Sequence, residues 1–172
     1  MSQAEKEAIS VLTAAIGKKY ILTDQKSVEF YSMDVYRSFE TPIAVVQPGS
    51  VEELQEVVRV ATGLGIAIVT RGGGASYTDG YLATTPKSIT IDTSRLNKIV
   101  EINEEDMLVT VEPGVTWAEM AAALEEKNLR TPFWGPFSGL KATVGGSTSQ
   151  NSLSMGTSAY GGSPESILCY DI

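Results

Sequence analysis

Apolar residues recur at Ala4, Ala8, Ile9, Leu12 and Ile16, the spacing of one helical face. Gly17 supplies a stop. Val28 to Tyr36 is mixed and carries no assignment. The pattern then changes. Ile43-Ala44-Val45-Val46 is a continuous apolar run between Pro42 and Gln47-Pro48-Gly49, which predicts a buried strand. Ser50 and Glu53 have the spacing of a capping box. Val51, Leu54, Val58 and Ala61 mark the apolar face of the helix that follows, and Gly63 and Gly65 end it. Ile66 to Val69 is a second buried strand. A strand–helix–strand unit of this kind predicts parallel strands joined by a right-handed crossover.

Further on, Ser88-Ile89-Thr90-Ile91 predicts a third strand. Ile99 to Ile102 and Leu108 to Val111 flank the polar turn Asn103-Glu104-Glu105-Asp106, which predicts an antiparallel hairpin. The acids Glu101, Glu104, Glu105 and Asp106 read as its solvated surface. Pro113-Gly114 breaks the pattern. Thr116 and Glu119 form a second capping box, and Trp117, Met120, Ala121 and Leu124 lie on one helical face as core. Asn128 is placed to make a left-handed exit. Thr131 to Gly162 is rich in Gly, Pro, Ser and Thr. Its interspersed Phe133, Trp134, Phe137, Leu140, Val144, Leu153, Met155 and Tyr160 argue against disorder. It reads as an ordered loop region wrapped on a ligand. Ser166 to Ile172 reads as the start of a strand, which predicts that the chain is one piece of a larger assembly.

Composition narrows the chemistry. The 172 residues, 42% hydrophobic and 20% charged, suit one soluble domain or two small lobes. A formal charge of -8 argues against a nucleic-acid surface, which needs a basic face. There is no histidine, so Ser-His-Asp and Cys-His catalysis and histidine metal sites are excluded within the chain. One cysteine makes neither an intrachain disulfide nor a thiolate metal cage, so no metal is expected. The polar start, with Glu5, Lys6 and Glu7, is not a signal peptide, and no apolar run reaches membrane-spanning length. A cytoplasmic location is the default. The chemistry is left to a bound cofactor or to another polypeptide.

Thr70-Arg71-Gly72-Gly73-Gly74-Ala75-Ser76 directly follows the second strand. Three glycines in succession allow positive φ and close approach to a ligand, and successive amides can converge on an anion. Ligands of open α/β sheets bind outside the carboxyl ends of strands, where this turn is placed. Arg71 either neutralises a bound diphosphate or pairs with an acid at the surface. Two further glycine turns follow, Glu112-Pro113-Gly114-Val115 and Ala142-Thr143-Val144-Gly145-Gly146-Ser147. After the last come Asn151, Gly156 and Tyr160-Gly161-Gly162. A dinucleotide fingerprint is excluded because Tyr77 stands where the third glycine belongs. A Walker loop is excluded because Asp79 and Gly80 replace its Lys and Ser/Thr.

From about Pro42 to Ile172, this ordered set resembles the PCMH-type FAD-binding domain of the vanillyl-alcohol oxidase and p-cresol methylhydroxylase superfamily. Within it, the pattern looks most like the branch of glycolate oxidase subunits and D-lactate dehydrogenases. The resemblance implies an α+β fold of two lobes with FAD between them. An N-terminal helical segment, 1–40, would precede the domain at 41–172. A parallel-strand lobe would span about 41–95 and an antiparallel-sheet lobe about 96–172, incomplete at its C-terminal end. The amides of Arg71, Gly72, Gly73, Gly74, Ala75 and Ser76 would hold the FAD pyrophosphate. Pro113, Gly114 and Val115 would pass beside the adenosine side. Thr143, Val144, Gly145 and Gly146 would lie against the ribityl and flavin, with Asn151 and Gly156 shaping the next turn. Tyr160, Gly161, Gly162 and Ile167 would complete the wall near the adenine and ribose.

Many members carry a flavin-linking histidine where this chain has Ala75, so non-covalent FAD is expected. Cys169 is either a thiol link or, in its apolar setting, a buried core cysteine. Trp134 and Phe137 either shield the flavin or pack locally, and Tyr77, Asp79 and Tyr81 are open to a substrate or flavin role. The implied function is hydride transfer from a CH–OH substrate, such as a 2-hydroxy acid, to FAD. The substrate residues would come from a second chain or a C-terminal domain, in an oligomer, and no catalytic residue is assigned here. The alternatives are a non-catalytic FAD-binding subunit or fragment, and a phosphate- or nucleotide-binding regulatory module without redox chemistry.

Overall fold

Residues 3–132 and 139–171 are described by a computed structural model of the chain, which divides into two units, Met1–Leu96 and Asn97–Ile172. In the first unit the periodic N-terminal segment forms α1 (Gln3–Ile16), and Gly17 ends it at φ 89. Strand β1 (Ile21–Leu22) follows. Helix α2 (Gln25–Tyr31), which the sequence pattern did not disclose, runs into the unassigned stretch Val28–Tyr36. Its N-cap is Asp24, whose carboxylate accepts from Ser27 N at 3.1 Å. Then come β2 (Ala44–Val46), α3 (Val51–Gly63), β3 (Ala67–Arg71) and β4 (Ser88–Asp92).

The four strands form one sheet in the order β1-β2-β4-β3. β2, β4 and β3 are parallel, with Val45 and Val69 both opposite Thr90. The two strands of the strand–helix–strand unit are therefore parallel but not adjacent. The third strand lies between them and is buried at every position, as a central parallel strand covered on both faces should be. Ala8, Leu12 and Ile16 of α1 join Val57, Val60 and Ala61 of α3 and Ile89 and Ile91 of β4 in one core. Fully burying a side chain such as Leu12 or Ile89 contributes about 1.5–3 kcal/mol.

Two details of α3 differ from expectation. Its buried face is Val57, Val60 and Ala61, with Leu54 partly buried, while Val51 and Val58 are exposed. Valines at 57, 58 and 60 leave the helical period two directions, and packing on the sheet selects one. Ser50 does accept from Glu53 N at 3.2 Å. The Glu53 carboxylate instead reaches back to Gly49 N at 2.6 Å and pairs with Arg95 at 3.2 Å, so the reciprocal arm lands one residue early.

The second unit opens with the hairpin of β5 (Ile99–Asn103) and β6 (Leu108–Val111). Asn103 caps its turn by accepting from Asp106 N at 2.9 Å. Helix α4 (Trp117–Glu125) carries the complete Thr116–Glu119 capping box and buries Trp117, Met120 and Leu124. Asn128 follows at φ 58. Two short helices, α5 (Val144–Ser149) and α6 (Thr157–Tyr160), occupy part of the stretch read as loop. The chain is thus α+β, with a mainly parallel sheet, whose edge strand β1 runs antiparallel to β2, and a separate antiparallel one.

The strand expected at Ser166 onward is not formed. After a short turn at Ser163–Ser166 the described residues are irregular, with Leu168 and Tyr170 exposed. An apolar run becomes a strand only when a neighbour takes up its amides, and none does so among the described residues. Cys169 is likewise exposed, which corrects its reading as a core cysteine. No described helix is long and apolar enough to cross a membrane.

Candidate cofactor site

In the first unit the glycine turn leaves β3 at Arg71, which pairs in register with Asp92, the last residue of β4. The turn therefore stands at the carboxyl ends of two parallel strands. Gly74 takes φ 63, a left-handed conformation suited to glycine. Among the described residues, the amides of Gly72, Gly73, Gly74, Ala75 and Ser76 donate to no carbonyl or side chain. Unpartnered amides in succession form a donor surface for an anion.

Arg71 is only 7% exposed, so the surface ion pair held open for it is not what the fold builds. Its Nη1 donates to Met33 O at 2.9 Å and to Tyr31 O at 3.4 Å. The guanidinium carbon lies 5.2, 5.0 and 4.7 Å from the ring centres of Phe30, Tyr31 and Tyr81, all within cation–π range. Tyr81 is buried, and its hydroxyl donates to the carbonyls of Gly74 and Ser76, each at 3.0 Å. Tyr77 is exposed.

Polar groups surround this turn. The Asp92 carboxylate accepts from the Tyr31 hydroxyl at 2.5 Å, from Gln47 Nε2 at 2.7 Å and from Ser94 N at 2.9 Å. Burial, and then the Asp92 carboxylate, push the Tyr31 hydroxyl well above the usual phenol range. Burial likewise raises Tyr81, with Arg71 opposing it. Asp79 sits at φ 58 and pairs with Arg37 at 3.3 Å. Burial and the adjoining Asp34 carboxyl raise Asp79. Burial works in the same direction on Asp34, but the amides of Tyr36 and Arg37 donate to it at 2.9 and 3.0 Å and hold it low.

In the second unit the other two glycine turns meet. Val144 N donates to Val115 O at 2.8 Å and Gly145 N to Pro113 O at 3.0 Å. Thr116 and Thr143 form an antiparallel bridge, and Trp117 N donates to Ala142 O at 3.1 Å. Thr143 is the N-cap of α5 and accepts from Gly146 N at 3.1 Å. The third turn is thus the first turn of a helix rather than a free loop. Val115 is fully buried, and the Trp117 indole donates to Ser147 Oγ at 2.7 Å.

Asn151 follows α5 at φ 50, and Gly156 opens α6 at φ 102. Tyr160 is exposed at the end of α6, followed by Gly161 at φ 83. Gly162 is buried, and Ile167 is half-buried. Phe133, Trp134 and Phe137 lie outside the described residues. The described residues contain no cluster of acids and cysteine suited to a metal ion.

Residues 42–172 match the family described as FAD binding domain. The chain belongs to that family. Its FAD-binding domain is 31% identical over 132 residues to the glycolate oxidase subunit GlcD of Bacillus subtilis, covering 76% of this chain and 28% of that one. It is 30% identical over 155 residues to the D-2-hydroxyglutarate dehydrogenase of Xanthomonas citri, covering 90% and 32%. The crystal structure of p-cresol methylhydroxylase with substrate bound superposes with a TM-score of 0.73 at 27% identity, over 89% of this chain and 31% of that one. The chain spans about a third of the length of these relatives. FAD is accordingly the cofactor of this domain.

The residues that sequence reasoning missed are those that support the glycine turn from elsewhere. Tyr31, Met33 and Gln47 precede it by 24 residues or more. Asp92 follows it, and nothing in its local pattern separates it from a strand-end acid. Tyr81 reads from the sequence as open to a substrate or flavin role, whereas its hydroxyl is engaged by the carbonyls of Gly74 and Ser76.

Proposed function

We propose that this chain is the cofactor-binding part of a flavin-dependent oxidoreductase acting on a carbon that bears a hydroxyl group, such as a 2-hydroxy acid. The observation that carries the reading is the set of amides at Gly72–Ser76 with no partner among the described residues, at the carboxyl ends of β3 and β4. A diphosphate needs such donors, and they supply them without net positive charge, in keeping with a chain of charge -8. The glycolate oxidase subunit and the D-2-hydroxyglutarate dehydrogenase support the hydroxy-acid class through their names.

In this reading the amides of 72–76 bind the FAD diphosphate. Pro113–Val115 and Thr143–Gly146 form a close-packed backbone surface for the remaining parts of the cofactor, with Asn151 and Gly156 shaping the turn beyond. Tyr160–Gly162 and Ile167 lie toward the adenosine end. The bound flavin supplies the two-electron acceptor. The protein holds and orients it and sets its electrostatics. Ala75 offers no nucleophile and the chain has no histidine, so in this reading FAD is held without a covalent bond, and release of FAD by acid tests the remaining candidate link, the Cys169 thiol. Substrate-binding groups come from a further domain or a second chain, in line with relatives named as subunits.

The test is a visible spectrum of the purified protein, followed by FAD titration and acid precipitation. A yellow protein that releases all its FAD into the acid supernatant supports the reading. A colourless protein that takes up no FAD, or one that prefers ATP or GTP, refutes it.

A further inference from the structure

Arg71 is the one fixed positive charge in the glycine turn, yet its guanidinium is committed elsewhere. It donates to two backbone carbonyls, Tyr31 O and Met33 O, and lies among three aromatic rings. The same guanidinium lies beneath Gly74. A β-carbon there would stand 2.6 Å from Nη2 and 2.7 Å from Nε. The left-handed Gly74 thus rests directly on a buried planar cation that its cage prevents from moving aside. From a second direction the Tyr81 hydroxyl ties Gly74 O to Ser76 O, turning both carbonyls to one donor. Carbonyls and amides of one peptide point in opposite directions. Fixing the two carbonyls of Gly74 and Ser76 therefore fixes the amides of Ala75 and Tyr77.

We propose that Arg71 and Tyr81 are positioning residues for the FAD diphosphate. The caged guanidinium and the Tyr81 hydroxyl lock the Gly74 turn so that its amides stay open to the ligand, and Arg71 itself does not contact the phosphates. The proposal rests on the assignment of this turn to FAD made above. It separates two roles that one arginine can play. A charge that touches phosphate is replaced by lysine at modest loss. A planar fork that bridges two carbonyls among aromatic rings is not.

The experiment is FAD titration of the full chain at low and high salt, for wild type, Tyr81→Phe, Arg71→Lys and Arg71→Met, with thermal midpoints of the FAD-free forms and amide hydrogen exchange with and without FAD. The expected result is a Kd raised about tenfold by Tyr81→Phe, with the thermal midpoint held and a smaller slowing of exchange at Gly72–Ser76 when FAD is added. Arg71→Lys weakens FAD as much as Arg71→Met, and the salt dependence of Kd is the same in all four proteins. Wild-type affinity in Arg71→Lys beside a loss of both affinity and salt dependence in Arg71→Met would overturn the proposal. So would a Tyr81→Phe chain that binds FAD like wild type. If both Arg71 variants fail to fold, Tyr81→Phe decides alone, since it keeps the ring and removes one hydroxyl. A wild-type chain that binds no FAD overturns the cofactor assignment itself, before any variant is compared.

Discussion

Gly145 lies against Pro113 with no room for a side chain between them: a β-carbon on Gly145 would stand 2.5 Å from Pro113 Cβ and 2.8 Å from its carbonyl oxygen. The same two residues share a hydrogen bond, Gly145 N to Pro113 O at 3.0 Å. The obstacle is backbone and a rigid ring, so it cannot swing aside. Gly145→Ala is expected to destabilise the chain by about 1–3 kcal/mol, the usual cost of overpacking. It should weaken FAD binding as well, because the two turns can no longer meet at this distance. Chemical denaturation with and without FAD measures both effects.

The Trp117–Ser147 bond is a second tie between the helix after one turn and the helix after the other. Both residues are buried and the indole donates at 2.7 Å. Ser147→Ala is expected to cost about 1 kcal/mol, the net worth of an ordinary intramolecular hydrogen bond. Ser147→Thr, which keeps the hydroxyl, should cost less in the same urea titration if its methyl group finds space.

How far the sequence discloses these features depends on how local their causes are. The Thr116–Glu119 box and the left-handed Asn128 are decided within four residues and are read directly. The hairpin is equally local, its turn closed by Asn103 and Asp106. The buried face of α3 is not, because Val57 and Val58 are both apolar and only the sheet chooses between them. The C-terminal strand reading fails for a related reason, since pairing needs a partner that periodicity does not name. The order of the three glycine turns was legible, and with it the family. The surroundings of Arg71 were not: its carbonyl partners are 38 and 40 residues away along the chain.

Tyr31 gives the first unit a pH dependence of known sign. Burial and Asp92 raise its hydroxyl above the ordinary 10.0. The folded chain then holds that proton more tightly than the unfolded chain. The stabilisation is fully present below about pH 10 and is lost as pH rises toward the folded value. Tyr31→Phe should therefore be less stable than wild type at neutral pH, by the loss of its bond to Asp92. The gap should narrow above pH 10. Urea midpoints of both proteins across pH 7 to about 11.5 check this, and a gap constant with pH contradicts it.

Cys169 is exposed in an irregular segment, so its thiol should react with an aromatic disulfide reagent in the native 172-residue chain. One equivalent is expected at a rate close to that in denaturant, with the thermal midpoint unchanged. Protection by a hundredfold or more would return the residue to a core position.

The central claim is that the amides of Gly72–Ser76 receive the FAD diphosphate. Amide hydrogen exchange resolved to single residues, with and without saturating FAD, tests it most directly. These amides have no partner among the described residues of the free chain and should exchange fast there, then slow by at least tenfold when FAD is bound. Saturated FAD binding with exchange at Gly72–Ser76 unchanged would contradict the account.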